Sequence, residues 1–327
     1  MVLCGVVLFC GCKDPASQAL MKKGSSGKTL ELMLVADKNA YSGSTLRLID
    51  SLFKRPADYI NRVQPLFDVI NITPNSYKGS EMFRSHRNIL ILSIDTSNKD
   101  KVYKHVDVYA EPQVIYEFAA RSKESLNGML SRYYPQLLDD LYSQEYRRIA
   151  NVYSKDFNVD IMAMLCKHFG FDITIPNEYR IAPPVKNDFM WVRKETKDFS
   201  QNIFMQVDPY TSAEQFGQAA LMNHIDTLMK RNVPGPSDTS YMGIERRIGC
   251  TFQALEIDSM YAVRVQGLMR CFGDFYGGPF VTYAVLSPDK KNIVFVSGFL
   301  YSPRKDQRDL LMQLDGICRT LRFSGWN

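Results

Sequence analysis

The sequence predicts an α+β fold: antiparallel sheets with helices packed on one face, arranged as two related-looking α+β units. Three observations carry this expectation. Short apolar runs bounded by Gly, Pro, Asn and Ser have the length and punctuation of strands. Longer stretches with apolar residues three and four apart have the period of helices. The second half is mostly strands joined by short turns, which implies antiparallel pairing. The 327-residue chain is 45% hydrophobic and 23% charged, so it can bury a real core. Its length accommodates two domains of ~150 residues each.

In order along the chain, Leu30–Ala36 is a short apolar strand, and Ser44–Phe53 is a helix with Leu46, Ile49, Leu52 and Phe53 on one face. Leu66–Ile72 and Asn88–Ile94 are strands; Ile89-Leu-Ile-Leu92 is continuous enough to be buried on both faces. A further strand is expected at Val106–Tyr109 and another over 113–118. Two helices follow, one over 123–132 and one from Pro135, a residue suited to a first helical position, to 154. Val159–His168 is a helix closed by Gly170.

In the second half, Phe189–Lys194 and Asn202–Val207 form a hairpin. Ser212–Arg231 is a helix opened by a capping box, Ser212 and Gln215, and ended by Val233-Pro-Gly-Pro236. Tyr261–Met269, Phe280–Leu286 and Ile293–Leu300 are strands, the last two joined by the turn Ser287–Asn292. Arg304–Leu321 is an amphipathic helix with Leu310, Leu314, Ile317 and Leu321 inward. The boundary between an N-terminal unit, 30–175, and a C-terminal unit, 185–323, falls around Pro176 and Pro183–Pro184.

The N-terminus is organised for export. Val2–Phe9 is an apolar run far shorter than the ~20 residues of a membrane-spanning helix, and it matches a signal-peptide core. Phe9-Cys10-Gly11-Cys12 then resembles a bacterial lipobox: a small residue lets the peptidase approach, and the next Cys accepts the lipid. Residues 1–11 are therefore read as a signal peptide, Cys12 as the lipidation site and 12–29 as a flexible tether. Lys13 stands where an inner-membrane retention signal of enteric bacteria would have Asp, so the expected location is the outer membrane, facing the periplasm. Gly24-Ser-Ser-Gly27-Lys28-Thr29 ends like a phosphate loop. A strand pattern follows it, however, where a phosphate loop needs a helix N-terminus.

A net charge of +5 spread over the chain, with no basic run longer than Lys22–Lys23 or Arg246–Arg247, argues against nucleic acid as a partner. Of seven cysteines, Cys166, Cys250, Cys271 and Cys318 remain after processing and lipidation. Free thiols are the plain reading; if any bridge forms, Cys250–Cys271 is the candidate, since both flank one strand pair.

Four segments occur together: Phe83-Arg-Ser-His-Arg-Asn-Ile-Leu-Ile-Leu92, Trp191-Val-Arg-Lys-Glu-Thr196, Val233-Pro-Gly-Pro-Ser237 with Tyr241-Met242, and Gly273-Asp-Phe-Tyr-Gly-Gly-Pro-Phe280. With the tail Arg304–Phe323 they resemble an uncharacterised lipoprotein family of the Bacteroidetes, labelled domain of unknown function 4837, from about Leu30 to Phe323. The resemblance implies a lipid-anchored envelope protein and no particular activity.

No residue pattern marks a catalytic group, a metal set or a cofactor. The four histidines, His86, His105, His168 and His224, lack ligand spacing, and Cys166-x-His168 needs distant partners to hold a metal. No Ser sits in a nucleophile elbow. Asp139 and Asp140 are adjacent on a helix and diverge, whereas Arg193 and Glu195 share a strand face as a surface pair. The most unusual stretch is Gly273–Phe280. Gly277 and Gly278 permit positive φ or a close backbone approach, and Pro279 fixes the exit. Asp274, Tyr276, Gly277, Gly278, Pro279 and Phe280 are the candidate ligand or partner surface, weighed against a plain inter-strand turn. The leading functional expectation is a non-catalytic module that binds a partner protein or envelope ligand, its membrane contact made through the N-terminal lipid. The alternative is a hydrolase acting on an envelope polymer.

Overall fold

A computed structural model describes residues 22–326 apart from 98, 184, 187, 236 and 238. The expected signal peptide, residues 1–11, and Cys12 lie outside the described residues. So do residues 12–21 of the expected tether. Its remainder, 22–29, is pinned: Gly24 bridges to Glu111 and Ser26 to His86.

The elements are β1 (Glu31–Val35), α1 (Ser44–Phe53), β2 (Asp68–Ile72), α2 (Pro74–Gly79), α3 (Glu81–Arg84), β3 (Asn88–Ile94), β4 (Lys101–Val106), β5 (Val114–Ala120), α4 (Lys123–Tyr153) and α5 (Val159–Phe169). Then come β6 (Arg180–Ala182), β7 (Phe189–Glu195), β8 (Ser200–Pro209), α6 (Gln218–Asn232), β9 (Tyr241–Ile244), β10 (Cys250–Ile257), β11 (Met260–Phe272), β12 (Gly277–Leu286), β13 (Asn292–Tyr301) and α7 (Arg308–Cys318). The class is α+β, as expected.

The strands form two sheets, a five-stranded one ordered β2-β1-β3-β5-β4 and an eight-stranded one ordered β10-β11-β12-β13-β8-β7-β6, with β9 beside β11. The second is antiparallel in every pairing. The first departs from the antiparallel expectation: β2, β1, β3 and β5 run parallel, and only the edge strand β4 is antiparallel. The reason lies in the connections. Helix α1 carries the chain from β1 back to the start of β2, and a parallel return needs such a crossover. The doubly buried run Ile89–Leu92 suits a parallel interior strand.

Helices also cover more than one face. On β13, Val294, Val296 and Leu300 point into the core shared with α7, while Ile293, Phe295 and Phe299 point into a second core with Leu221, Ile225 and Leu228 of α6. Both sides of the strand are therefore apolar. The larger core runs without interruption from Leu30 to Leu321, and α4 and α7 lie in it between the sheets.

Three local expectations are corrected. The helices expected on either side of Pro135 are one helix of 31 residues, α4. Pro135 removes one N–H and with it the usual partner of the Ser131 carbonyl, but both residues are exposed, so that carbonyl is open to solvent and the loss is small. Leu126, Leu130, Leu137 and Leu141 keep one buried stripe through the interruption. The strand expected at Val106–Tyr109 lies earlier, at β4, where Lys101 to Val106 pair in register with Ala119 to Val114 of β5. The helix expected over Ser212–Arg231 divides at Gly217, whose ψ of 147° is extended; the capping box of Ser212 and Gln215 opens a short 3-10 turn instead.

Candidate functional site

The strands β11 and β12 are joined by residues 273–276, so the Gly273–Phe280 motif is a hairpin turn followed by the start of a strand. Gly273 takes φ 89°, the left-handed conformation that makes the turn. Gly277 and Gly278 do not: they are strand residues placed against backbone. A Cβ on Gly278 would stand 2.0 Å from the Leu300 carbonyl oxygen, and one on Gly277 would stand 2.5 Å from that of Met269. Close approach, not positive φ, is what these positions require.

The turn splits its aromatics. Phe280 and Pro279 are buried, Phe280 within the α6-side core, so both leave the candidate surface. Their alternation in a strand with two apolar faces explains this. Phe275 projects fully into solvent, and Asp274 is exposed, its carboxylate accepting from the Phe275 N–H. Phe272 turns to the other side and stacks on Tyr241 at 5.1 Å, under Arg270 at 4.9 Å. Tyr276 is half-buried and lies on Tyr301, ring centroids 4.1 Å apart, with Phe299 at 6.0 Å. Burial, and then neighbouring Tyr301, push the Tyr276 hydroxyl up to about 12, so it is a hydrogen-bond donor at neutral pH.

Tyr276 and Tyr301 form the wall between two clefts. One, of about 560 Å³, lies toward Asp274, Arg270 and Glu245. The other, of about 520 Å³, lies toward Trp191, Arg193 and Phe199. Both volumes are in the range of small-ligand sites. In the second cleft the Trp191 indole N–H donates to Asn202 at 3.1 Å, which holds the ring, and the Arg193 guanidinium lies 5.5 Å from the ring centroid. Arg193 also pairs with Glu195 at 3.3 Å, the same-face pair expected from alternation. The chemistry on offer is flat apolar rings rimmed by cations and by hydrogen-bonding groups.

Sequence reading missed Tyr301, Trp191 and Phe199. The signal for Tyr301 was the hairpin register: the turn at 287–292 sets Phe280 opposite Phe299, which carries Tyr301 alongside Gly278.

Elsewhere, no described residues form a group of three or more His, Cys, Asp or Glu placed to hold a metal. His86 is buried against Glu31 at 2.8 Å, and His224 stacks on Phe295 at 3.9 Å. The four described cysteines are free. The Cys250–Cys271 bridge does not form because Cys250 is paired with Gly267 and Cys271 with Met242. The two thus sit four residues apart along β11, about 13 Å, and a disulfide spans less than ~7 Å between Cα atoms. Burial pushes the Cys250 thiol up to about 11, away from nucleophilic use. Asp140 accepts from Tyr116 and Lys104, while Asp139 points elsewhere into solvent.

The family model described as Domain of unknown function (DUF4837) matches residues 158–320, and a second, Domain of unknown function (DUF8532), matches 25–154. The resemblance read across 30–323 is thus shared between two models; Phe83–Leu92 falls in the second. No curated protein matches the chain in sequence. The crystal structure of LpqN, involved in cell envelope biogenesis of Mycobacterium tuberculosis, is 15% identical over 46% of this chain and 79% of its own, with a TM-score of 0.27. A TM-score that low carries no argument about fold or function. The resemblance to the DUF4837 family is borne out over residues 158–320, just under half of the chain and the segment that holds Gly273–Phe280.

Proposed function

We propose that this chain is a lipid-anchored envelope protein that binds a ligand or partner without catalysis, and that the Tyr276–Tyr301 wall is where it does so. The supporting observation is that wall itself: two aromatic rings shared by two clefts of about 520 and 560 Å³, with Trp191 and Arg193 across one of them. Aromatic rings beside cations and hydroxyls suit glycans and peptides, which offer apolar faces and hydrogen-bonding edges together. Each cleft holds two acids, Asp274 and Glu245 in one and Glu195 and Asp198 in the other, but Glu245 is tied to Arg247 and Arg270 and Glu195 to Arg193, which favours binding over the free pair of acids a hydrolase needs.

Trp191 supplies the test. The chain has only two Trp, so in a Trp326→Phe background its emission reports cleft occupancy. Titration with solubilised envelope glycan and peptide fractions is expected to shift that emission saturably. Tyr276→Ala should weaken the response about tenfold, roughly the loss of one aromatic contact, with an unchanged melting temperature. An emission that no fraction alters, or an unfolded Tyr276→Ala chain, rejects the site.

The anchor is tested separately. Among the described residues no helix is long and apolar enough to cross a membrane. A Cys12 lipid supplies the proposed attachment, in the outer membrane and facing the periplasm. Cys12→Ser is expected to accumulate as an unprocessed precursor that takes up no labelled fatty acid; unchanged labelling refutes it. Sucrose-gradient recovery wholly in the inner membrane refutes the location.

A further inference from the structure

A third cleft, of about 420 Å³, opens between α4, β10, β11 and α7, and is lined from both family segments. Its floor holds Asp315, almost entirely buried, which Arg264 grips with two bonds of 3.3 and 2.7 Å. The hydroxyls of Tyr146, at 2.9 Å, and Tyr283, at 2.5 Å, complete that carboxylate. Arg264 thereby cancels Asp315. Beside them Arg319, half-buried, lies 4.3 Å over the Tyr146 ring, and no described carboxylate pairs with it. The other lining arginines are taken, Arg55 by Asp58 and Arg308 by Asp68 and Asp309. Asp139, the unpaired acid of the lining, stands in solvent at the rim.

The floor therefore carries one cation more than it has anions. Arg319 is held charged by Tyr283 and by the field of Asp315, which it shares with Arg264; it has no carboxylate of its own, and a bound anion would supply one. One side of the wall is apolar, with Leu30, Leu66, Leu255, Leu311 and Met312, and Thr251, Gln253 and Gln266 line the other. A bare inorganic ion would leave that wall unfilled, and a neutral lipid would leave Arg319 unpaired. We propose that this cleft binds a small amphipathic anion, a carboxylate or phosphate monoester on an apolar body, with Arg319 receiving the head and the leucine wall the body. The site is distinct from the Tyr276 clefts, and its test does not depend on them.

The purified full chain is titrated calorimetrically with laurate, monododecyl phosphate, dodecanol and inorganic phosphate, the amphiphiles kept below micelle formation. One or both dodecyl anions are expected to bind one-to-one and raise the melting temperature, and the tighter of the two identifies the head group. Dodecanol and inorganic phosphate should each bind at least about tenfold more weakly, because each lacks one half of the match. Arg319→Gln should weaken the anion about tenfold, and Arg319→Lys less, since it keeps the charge but not the fork. Ser143→Trp, a substitution at an exposed lining position, should block entry without touching the core and serves if Arg319→Gln does not fold. The proposal is overturned if neither anion binds saturably, if dodecanol binds as well, or if binding survives both Ser143→Trp and a folded Arg319→Gln.

Discussion

Gly278→Val is expected to destabilise the chain by about 3 kcal/mol or more, at the upper end of overpacking substitutions. The Cβ alone is the cause. It would sit 2.0 Å from the carbonyl oxygen of Leu300, a β13 residue held in register with Gln201 of β8. Relief requires that pairing to open at the strand end that positions Tyr276 and Tyr301. Gly278→Ala should therefore cost nearly as much as Val, which separates backbone approach from β-branching. Gly128→Ala is the control. Nothing lies within 4 Å of a Cβ there, and the site is interior to α4. That change should stabilise by about 0.5–1 kcal/mol. Urea denaturation of the three variants at neutral pH measures all of this. A Gly278→Ala chain as stable as the parent contradicts the packing described.

Asp315→Ala is expected to cost about 3–5 kcal/mol, because it leaves the Arg264 guanidinium buried without its counter-ion. The side chains of the pair are 14% and 5% exposed, so solvent does little to screen the loss. A double variant, Arg264→Met with Asp315→Leu, should recover much of the stability, and the cycle of single and double variants reads the coupling. Burial alone would raise the Asp315 carboxyl. The charge and hydrogen bonds of Arg264, with those of Tyr283 and Tyr146, outweigh it and hold the group below the ordinary carboxylate value. In the unfolded chain this carboxyl titrates near ~3.9. Its contribution is thus complete above that pH and is lost as pH falls through the lower, folded value. The parent should show an acid limb of stability there that Asp315→Ala lacks. Coincident acid limbs in the two proteins would show that Asp315 carries no such linkage.

The sequence made the periodic elements plain. Asn88–Ile94 and Ser44–Phe53 are found as read, and Gly170 closes α5 with φ 75°. Where reading failed, a neighbour decided the outcome. Pro135 reads as a helix start, and only the leucines packed on either side of it keep α4 whole. Strand β10 is exposed along much of its length and offers little apolar signal; its pairing with β11 makes it a strand. The candidate turn was visible through its glycines, yet the wall was not, because Tyr301 belongs to it only through the register of a different hairpin. The cation of the third cleft is more remote still. Arg319 gives no sign in sequence of having no carboxylate of its own, since that depends on which of the acids of α4 and α7 reach it.

The two bridges that pin residues 22–29 set the length of a leash. With a lipid on Cys12, ten residue steps separate the bilayer from Lys22, at most about 35 Å of chain. The pinned segment meets the first sheet at Glu111 and His86, just ahead of β5 and β3. A body so tethered would be held by the end at which its parallel strands begin, and its rotation over a membrane would be confined to a short radius about that one point.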